Sequence, residues 1–420
     1  MKNKRFVITG IGVNSSIGCE KEKYWQALNE GRSGISQITL FDVNRYKIKL
    51  AGEVPNFYIA KDLINPRFNY LDRPTALLLS STKDAIKDAN LNIEEIDASE
   101  IGVSVGSTFG SLGSYSKFDL ESLTKGPRVV NPSSVPNTSP NIPASQVSIF
   151  FNVKGFNITL STGICSSFDA LDFAIKAITV RNKKVVIVGG VEEFCEPLFF
   201  LFQNSGMLSG TLENESIISC PFDRKRNGMV LGEGAGVVIV EDLDFALKRN
   251  AEIYGEIFGI NFEYNSTNSS EMSFDDLNIN SVTSCMENVL HKSNLLLSDM
   301  DYICCNANSL VHGDFIEAEA INKVSQNLNK GKVPVITSIK SMIGECYSSS
   351  GILAIIATLG SLKKNFIPPT INFFSTGINK NLNVVANNSL SRKVNNILIN
   401  AFDFSGMLSS LVLGRYNDDE

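Results

Sequence analysis

Histidine is almost missing from this chain of 420 residues, which contains only His291 and His312. A chemical site that needs two histidines must use these two or be incomplete. Cysteine occurs eight times, but no two cysteines have the CxxC spacing or another spacing typical of a metal site. The cysteines are therefore expected to be reduced and mostly buried thiols. We expect no metal and no other cofactor.

Long apolar runs are missing as well, since no run approaches the roughly 18 residues that cross a bilayer. The first residues, MKNKRFVITGIGV, lead into a strand pattern without the apolar stretch and cleavage site of a signal peptide. There is no excess of positive charge, because the formal net charge is -6. These observations argue against a membrane or a nucleic acid as partner. We expect a cytoplasmic protein.

Short β-branched runs alternate with helical patterns along the chain, which is typical of a mixed α/β fold. The predicted strands cover residues 5–10, 101–106, 184–190, 236–241, 333–338 and 410–413. One helix is predicted over 22–30. Two further helices, which begin near Ile164 and after Ser348, are apolar on most faces and are expected between layers of the fold. Each follows a strand candidate in its own half, which suggests two related α/β units.

Five motifs occur in a fixed order along the chain. They are VITGIGVNSSIG (7–18), NPSSVPNTSPNIPA (131–144), PFDRKRNGMVLGEGAG (221–236), IKSMIGE (339–345) and PPTINF (368–373). Together they resemble the β-ketoacyl synthases of fatty-acid and polyketide assembly. The resemblance implies the thiolase fold, with two related α/β halves in a layered α-β-α-β-α sandwich. The halves would cover residues 1–250 and 251–420.

The family's chemistry, as the resemblance implies it, uses a cysteine and two histidines. The cysteine holds an acyl chain at a helix N-terminus, where the dipole favours the thiolate. The histidines stabilise the enolate that forms when malonyl on an acyl carrier protein loses CO2. The family's spacing from Gly155 places the nucleophile at Ile164. Cys165 is the alternative, but steps of three or four residues from 165 reach Asp169 and Asp172, whereas those from 164 follow an apolar face.

The histidine positions are also changed. Matching the family's Asn-Ala pair to residues 306–307 places Asn308 at the first histidine, while counting back from Gly313 places Asn306 there. Glu345 follows the run that ends in the family's second histidine, and its carboxylate would repel an enolate oxyanion. In a purely structural role, Glu345 would be a buried acid paired with Lys340 or with a partner chain. His312 is expected to be a loop or interface residue.

The glycine-rich gate of the family reads Asp403–Met407 here, and Phe404 matches the gating phenylalanine. Bulky residues near an expected dimer surface are candidates for lining a substrate tunnel, although each could equally be an ordinary core residue. These candidates are Phe109, Phe118, Phe194, Phe199 and Phe202.

A synthase without its three reactive groups resembles the chain length factor, or ketosynthase-β subunit, of type II polyketide synthases. The resemblance implies a heterodimer with a catalytic ketosynthase, an acyl carrier protein as second partner, and a part in shaping the tunnel for the growing chain. Such subunits usually have Gln where this chain has Ile164, which argues against a decarboxylating role. Two alternatives stay open: an active synthase or acyltransferase that uses Cys165, and the equivalent subunit of an aryl-polyene synthase.

Overall fold

The computed structural model describes residues 4–59, 63, 71–132, 135, 138–210, 218–266, 277–326, 333–378 and 382–417. Its strands are β1 (Phe6–Ser15), β2 (Ser36–Gln37), β3 (Leu50–Ala51), β4 (Ile101–Gly106), β5 (Phe156–Leu160), β6 (Val185–Glu192), β7 (Gly234–Asp242), β8 (Gly255–Tyr264), β9 (Tyr302–Cys304), β10 (Val335–Thr337), β11 (Phe366–Ile367), β12 (Leu390–Ser391), β13 (Asn396–Phe402) and β14 (Met407–Gly414). Its helices are α1 (Lys21–Glu30), α2 (Arg73–Asp88), α3 (Leu112–Lys125), α4 (Ile142–Phe150), α5 (Ser166–Val180), α6 (Glu196–Asn204), α7 (Leu243–Lys248), α8 (Ile279–Lys292), α9 (Val311–Gln326), α10 (Lys340–Ile343) and α11 (Ser350–Lys364). All six predicted strands and all three predicted helices are present.

The two halves of the chain repeat one strand arrangement. In the first half the order is β5-β4-β6-β7-β1, and in the second half it is β10-β9-β13-β14-β8. In each half the first three strands in this order run parallel to one another. The third strand is antiparallel to the fourth, and the fourth is antiparallel to the fifth. A short antiparallel pairing of β1 with β8 joins the halves. The prediction of two related α/β units is therefore confirmed.

Helices α5 and α11 pack against each other between the strands of the two halves. Each helix begins after a short 3₁₀ turn, at Gly163–Cys165 and at Tyr347–Ser349 respectively. Every residue of α11 from Ser350 to Leu362 is buried except Ala354, because apolar side chains occur on most faces. Helix α2 contacts β1, β6 and β7, while α8 contacts β8 and β14. The layers predicted for a thiolase fold are confirmed.

One edge of the strand series is exposed. Strand β5 is hydrogen-bonded to β4, and within the described residues no strand lies on its other side. Helix α3, which the structure describes in full, has no buried residue. It presents Tyr115, Leu120 and Leu123 to solvent, with 52%, 61% and 77% of each residue exposed. This apolar surface is not explained by the packing of the chain itself.

Candidate functional site

Ile164, at the expected nucleophile position, lies in the turn before α5 and is buried. Its backbone N–H donates to Oδ2 of Asp403 at 2.9 Å. Gly163 has φ +65, and its Cα lies so close to the Asp403 carboxylate that a Cβ would collide with it. Glycine is needed here both for its backbone conformation and for this close approach. The backbone N–H of Ile164, just before the helix, is therefore already hydrogen-bonded to a carboxylate of the same chain.

Cys165, the alternative nucleophile, is fully buried. Its Sγ donates to the carbonyl oxygens of Ala401 and Met407 at 3.1 and 3.4 Å. Burial raises the pKa of the Cys165 thiol well above its ordinary value, and the charge of Asp403 adds to this effect. The thiolate needed for nucleophilic attack is therefore disfavoured at this position.

The residues expected where the family has its two histidines form one buried hydrogen-bond network with Lys340. Nζ of Lys340 donates to Oε2 of Glu345 at 2.8 Å and to Oδ1 of Asn306 at 2.9 Å. Nδ2 of Asn308 donates to the same oxygen of Glu345 at 2.8 Å. The Lys340 and Glu345 side chains are only 7% and 0% exposed. The predicted pairing of these two residues is present, and both candidate asparagines belong to the network.

Backbone contacts position Glu345. Gly344 has φ +78, and a Cβ there would lie 2.8 Å from the carbonyl oxygen of Val230. The N–H of Glu345 donates to that same oxygen at 2.7 Å, and its carbonyl accepts from Gly232 at 2.9 Å. Residues 230–232 lie within the third of the five sequence motifs, PFDRKRNGMVLGEGAG. The motif therefore holds Glu345 in place through its backbone.

The aromatic candidates fall into three places. Phe109, Phe202 and Phe404 surround Tyr347, with ring centroids 5.0, 5.6 and 6.1 Å from the Tyr347 ring. Phe194 and Phe199 belong instead to a second cluster with Phe41 and Tyr46. Phe118 is half-buried on α3. Only the first group lies beside the degenerate positions.

Tyr347 and Asp403 are central to the site, but sequence reasoning gave Tyr347 no role and treated Asp403 only as part of the gate. Tyr347 is 5% exposed and has φ 50, an uncommon conformation for a bulky residue. Burial raises the pKa of its hydroxyl well above the ordinary value, as does the Asp403 carboxylate. The sequence signal that could have identified Tyr347 is its position two residues after Glu345.

The two histidines lie away from this network. His291 and His312 are both exposed, on α8 and in the first turn of α9. In the described part of the chain, no group of three or more His, Cys, Asp or Glu side chains is placed to hold a metal ion. Among the helices of the described residues, none is long and apolar enough to cross a membrane.

Comparisons with known proteins agree over the whole chain. The sequence model described as "Beta-ketoacyl synthase, N-terminal domain" matches residues 3–246, and "Beta-ketoacyl synthase, C-terminal domain" matches residues 254–374. The chain is 33% identical over 419 residues to a 3-oxoacyl-[acyl-carrier-protein] synthase 2 of Coxiella burnetii, with 100% of both chains covered. A protein of the same name from a Synechocystis species is 31% identical, with 99% of each chain covered.

Solved structures show the same architecture. The chain is similar to one in the structure titled "The ishigamide ketosynthase/chain length factor", with a TM-score of 0.88 and 25% identity over 99% of this chain and 100% of that chain. It is also similar to a β-ketoacyl synthase from Burkholderia phymatum, with a TM-score of 0.88 and 24% identity over 99% of this chain and 100% of that chain.

Proposed function

The chain belongs to the β-ketoacyl synthase family, and from this premise we propose that it is the chain length factor of a type II polyketide synthase. In this role it pairs with a catalytic ketosynthase and shapes the tunnel for the growing chain, but does not condense acyl groups itself. The observation that carries the proposal is the buried Lys340–Glu345 pair with Asn308, which stands where the resemblance implies two histidines.

The nucleophile position supports the same conclusion. Ile164 has no nucleophilic atom, and its backbone N–H is already bonded to Asp403. Filling the position with an apolar side chain also avoids the cost of burying an unpaired polar group. A subunit that performs no chemistry can use such a position for packing alone.

A heterodimer would cover the exposed surface at the edge of the fold. Strand β5 has unpaired backbone groups, which other strands readily pair with. Leu120 and Leu123 on α3 add exposed apolar area. Obligate interfaces typically bury about 2,000 Å² or more of mainly apolar surface. We therefore place the catalytic partner against β5 and α3.

Phe118 and Phe109 are the residues we assign to the tunnel. Phe118 lies on α3, the helix assigned to the interface, and Phe109 precedes that helix and contacts Tyr347.

The growing chain would be carried by an acyl carrier protein, which the names of the curated relatives include. Arg224 and Lys225 are the exposed members of a basic cluster with Arg226, and we propose them as a minor contact for an acidic carrier. The Arg226 side chain is 7% exposed and donates to the carbonyl oxygens of Asp223 and Val311. We expect the catalytic partner to make most of the carrier contacts.

The proposal is tested by coexpressing the chain with its catalytic ketosynthase and determining product length by mass spectrometry. We expect Phe118→Ala or Phe109→Ala to yield longer products, because removing a phenyl ring extends the space open to the chain. The matched control is Phe245→Ala, which removes a ring on α7 that packs in a different apolar cluster. Unchanged product length in both variants, with an intact heterodimer, would refute the tunnel assignment.

An active synthase is the second candidate, because the curated relatives are named as synthases. It requires an acyl group on Cys165, with Glu345 as the acid–base group. Intact-mass spectrometry of the isolated chain after incubation with an acyl donor should then show an adduct that Cys165→Ser abolishes. We expect no adduct. The product identified in the coexpression experiment also distinguishes an aromatic polyketide from an aryl polyene.

A further inference from the structure

Hydrogen-bond donors enclose the carboxylate of Glu345. Oε2 accepts from Nζ of Lys340 and Nδ2 of Asn308, both at 2.8 Å. Oε1 accepts from the backbone N–H of Tyr347 at 3.0 Å and from the hydroxyl of Ser350 at 2.6 Å. A carboxylate has about four lone-pair sites, so its whole acceptor capacity is used. We call these four donors the carboxylate cage.

The donors of the carboxylate cage are held by contacts that do not involve Glu345. Nζ of Lys340 donates to Oδ1 of Asn306 at 2.9 Å. The backbone N–H of Asn308 donates to Oδ1 of Asp314 at 3.0 Å. The cage draws its groups from α10, the loop after β9, the turn before α11 and the first residue of α11. The turn and the helix that follows it are continuous, so three segments supply the cage. We therefore expect the donors to keep their places when the Glu345 side chain is shortened.

We infer that the carboxylate cage is a binding site for a small monocarboxylate, and that the side chain of Glu345 is its built-in ligand. Lys340 is 6% exposed and pairs with Glu345. Removing the Glu345 carboxylate leaves a buried ammonium group without its anion, which is strongly unfavourable. A free anion of the same shape therefore regains the interactions that the side chain normally supplies.

The same principle applies at the start of α5. There the Asp403 carboxylate accepts from the N–H groups of Ile164 and Ser405 at 2.9 and 2.8 Å. Asp403 is 1% exposed. Two carboxylates of the chain thus occupy two sets of donors in the degenerate site. An external acid or acyl carbonyl has to displace one of them before it can bind there.

The experiment uses Glu345→Ala, which opens the space of one carboxylate and one methylene group, with sodium acetate as the probe. The unfolding midpoint of Glu345→Ala should fall relative to wild type. Acetate should then raise it saturably, on the order of 2 °C more than sodium chloride of equal ionic strength does. Saturation-transfer NMR of acetate should detect binding to this variant. The matched control is Glu345→Gln, whose amide fills the space and should give no specific response.

A double variant assigns the response to the cage. Adding Lys340→Met to Glu345→Ala removes the cation, and the acetate response should disappear. A response that survives this change, or one equal to that of wild type, would overturn the inference. Glu345→Ser, with formate as the probe, is the second variant in case Glu345→Ala does not fold. The inference does not depend on the proposed function, since the isolated chain is sufficient and neither a partner nor a product is measured.

Discussion

Glu192 and Glu193, at and just after the end of β6, are buried acids with few compensating charges nearby. Glu192 accepts from the backbone N–H groups of Thr108 and Phe109 at 3.1 and 3.0 Å. Glu193 accepts from that of Gly113 at 2.7 Å. Burial raises the pKa of Glu192 to about 7 and that of Glu193 to about 8. The charges of Asp72 and Glu233 raise the pKa of Glu193 further. Each acid is therefore a source of pH-dependent stability.

For Glu193 the folded-state pKa of about 8 lies above the ordinary value of 4.5. The folded state then binds the proton more tightly, so this stability is fully present below about pH 4.5 and is lost as the pH rises through 8. Glu193→Gln should remove this loss. At pH 9 the variant should exceed wild type by on the order of 3–5 kcal/mol in the free energy of unfolding, since one pKa unit is about 1.4 kcal/mol.

Urea titrations across this pH range measure the difference. Glu94→Gln, which changes an exposed glutamate, is the control and should follow wild type at every pH. Parallel pH profiles for Glu193→Gln and wild type would contradict the assignment of the buried acid.

At the residue scale, the expected reactive positions were assigned from the motifs that contain or adjoin them, and their equivalence to the family's reactive residues stays a prediction. Ile164 and Glu345 were found by spacing, and the structure buries both. Asn306 and Asn308 could not be separated by counting, and the structure includes both in one network. The role of Asp403 could not be predicted, because it depends on a contact with a turn more than two hundred residues away in the sequence.

Among the elements, β1 and α2 pack with very little space between them. A Cβ on Gly12 in β1 would collide with the backbone carbonyl of Ser81 in α2, and a Cβ on Gly10 would collide with that of Ala85. These contacts are to backbone atoms, which cannot rotate away. The two glycines of the opening motif are therefore required by helix–strand packing.

Gly12→Ala should destabilise the protein by about 3 kcal/mol or more, because the helix must move away from the strand. The control is Gly189→Ala in β6. There the nearest atom to a new Cβ is the Cδ1 end of the Leu78 side chain at 3.0 Å, which can shift. We expect the control to cost about 1 kcal/mol or less. Equal losses in urea unfolding would show that the helix adjusts more easily than the contacts indicate.

Sequence patterns predicted β6 and β7 from their continuous apolar runs but did not predict β5, β8, β9 or β13. Strands β6 and β7 have almost every residue buried, so they appear as apolar runs closed by glycine or acid. Along β8 the buried residues do not alternate regularly with more exposed ones. The strand also contains Glu256, Asn261 and Glu263, which obscure its hydrophobic pattern. Asn400 lies inside β13 because it donates to the buried Glu317 at 2.9 Å. Such tertiary partners are not visible in local sequence.

For the whole molecule, the exposed side of α3 gives the sharpest prediction about assembly. Replacing both Leu120 and Leu123 by Glu should weaken the proposed heterodimer at least about tenfold, which corresponds to about 1.4 kcal/mol. The stability of the isolated chain should change by about 0.5 kcal/mol or less, because both side chains are exposed. Sedimentation of the mixed subunits measures the first effect, and urea unfolding measures the second.

The control for this variant is Leu296→Glu, which changes an equally exposed leucine in the second half of the chain. It should leave the heterodimer intact. If Leu296→Glu weakened the heterodimer and the α3 variant did not, the interface could not lie at β5 and α3.

The repeated strand order has a consequence for how a shared site is lost. The turn before α5 and the turn before α11 contact each other, one from each half. Each half thus supplies one of the two turns that meet there, as two copies of a duplicated gene segment would. A disabling substitution in one turn ends selection for reactivity in the other, while selection for packing continues in both. Under the function proposed above, replacement of reactive groups on both sides, inside an intact fold, is the outcome that such a history produces.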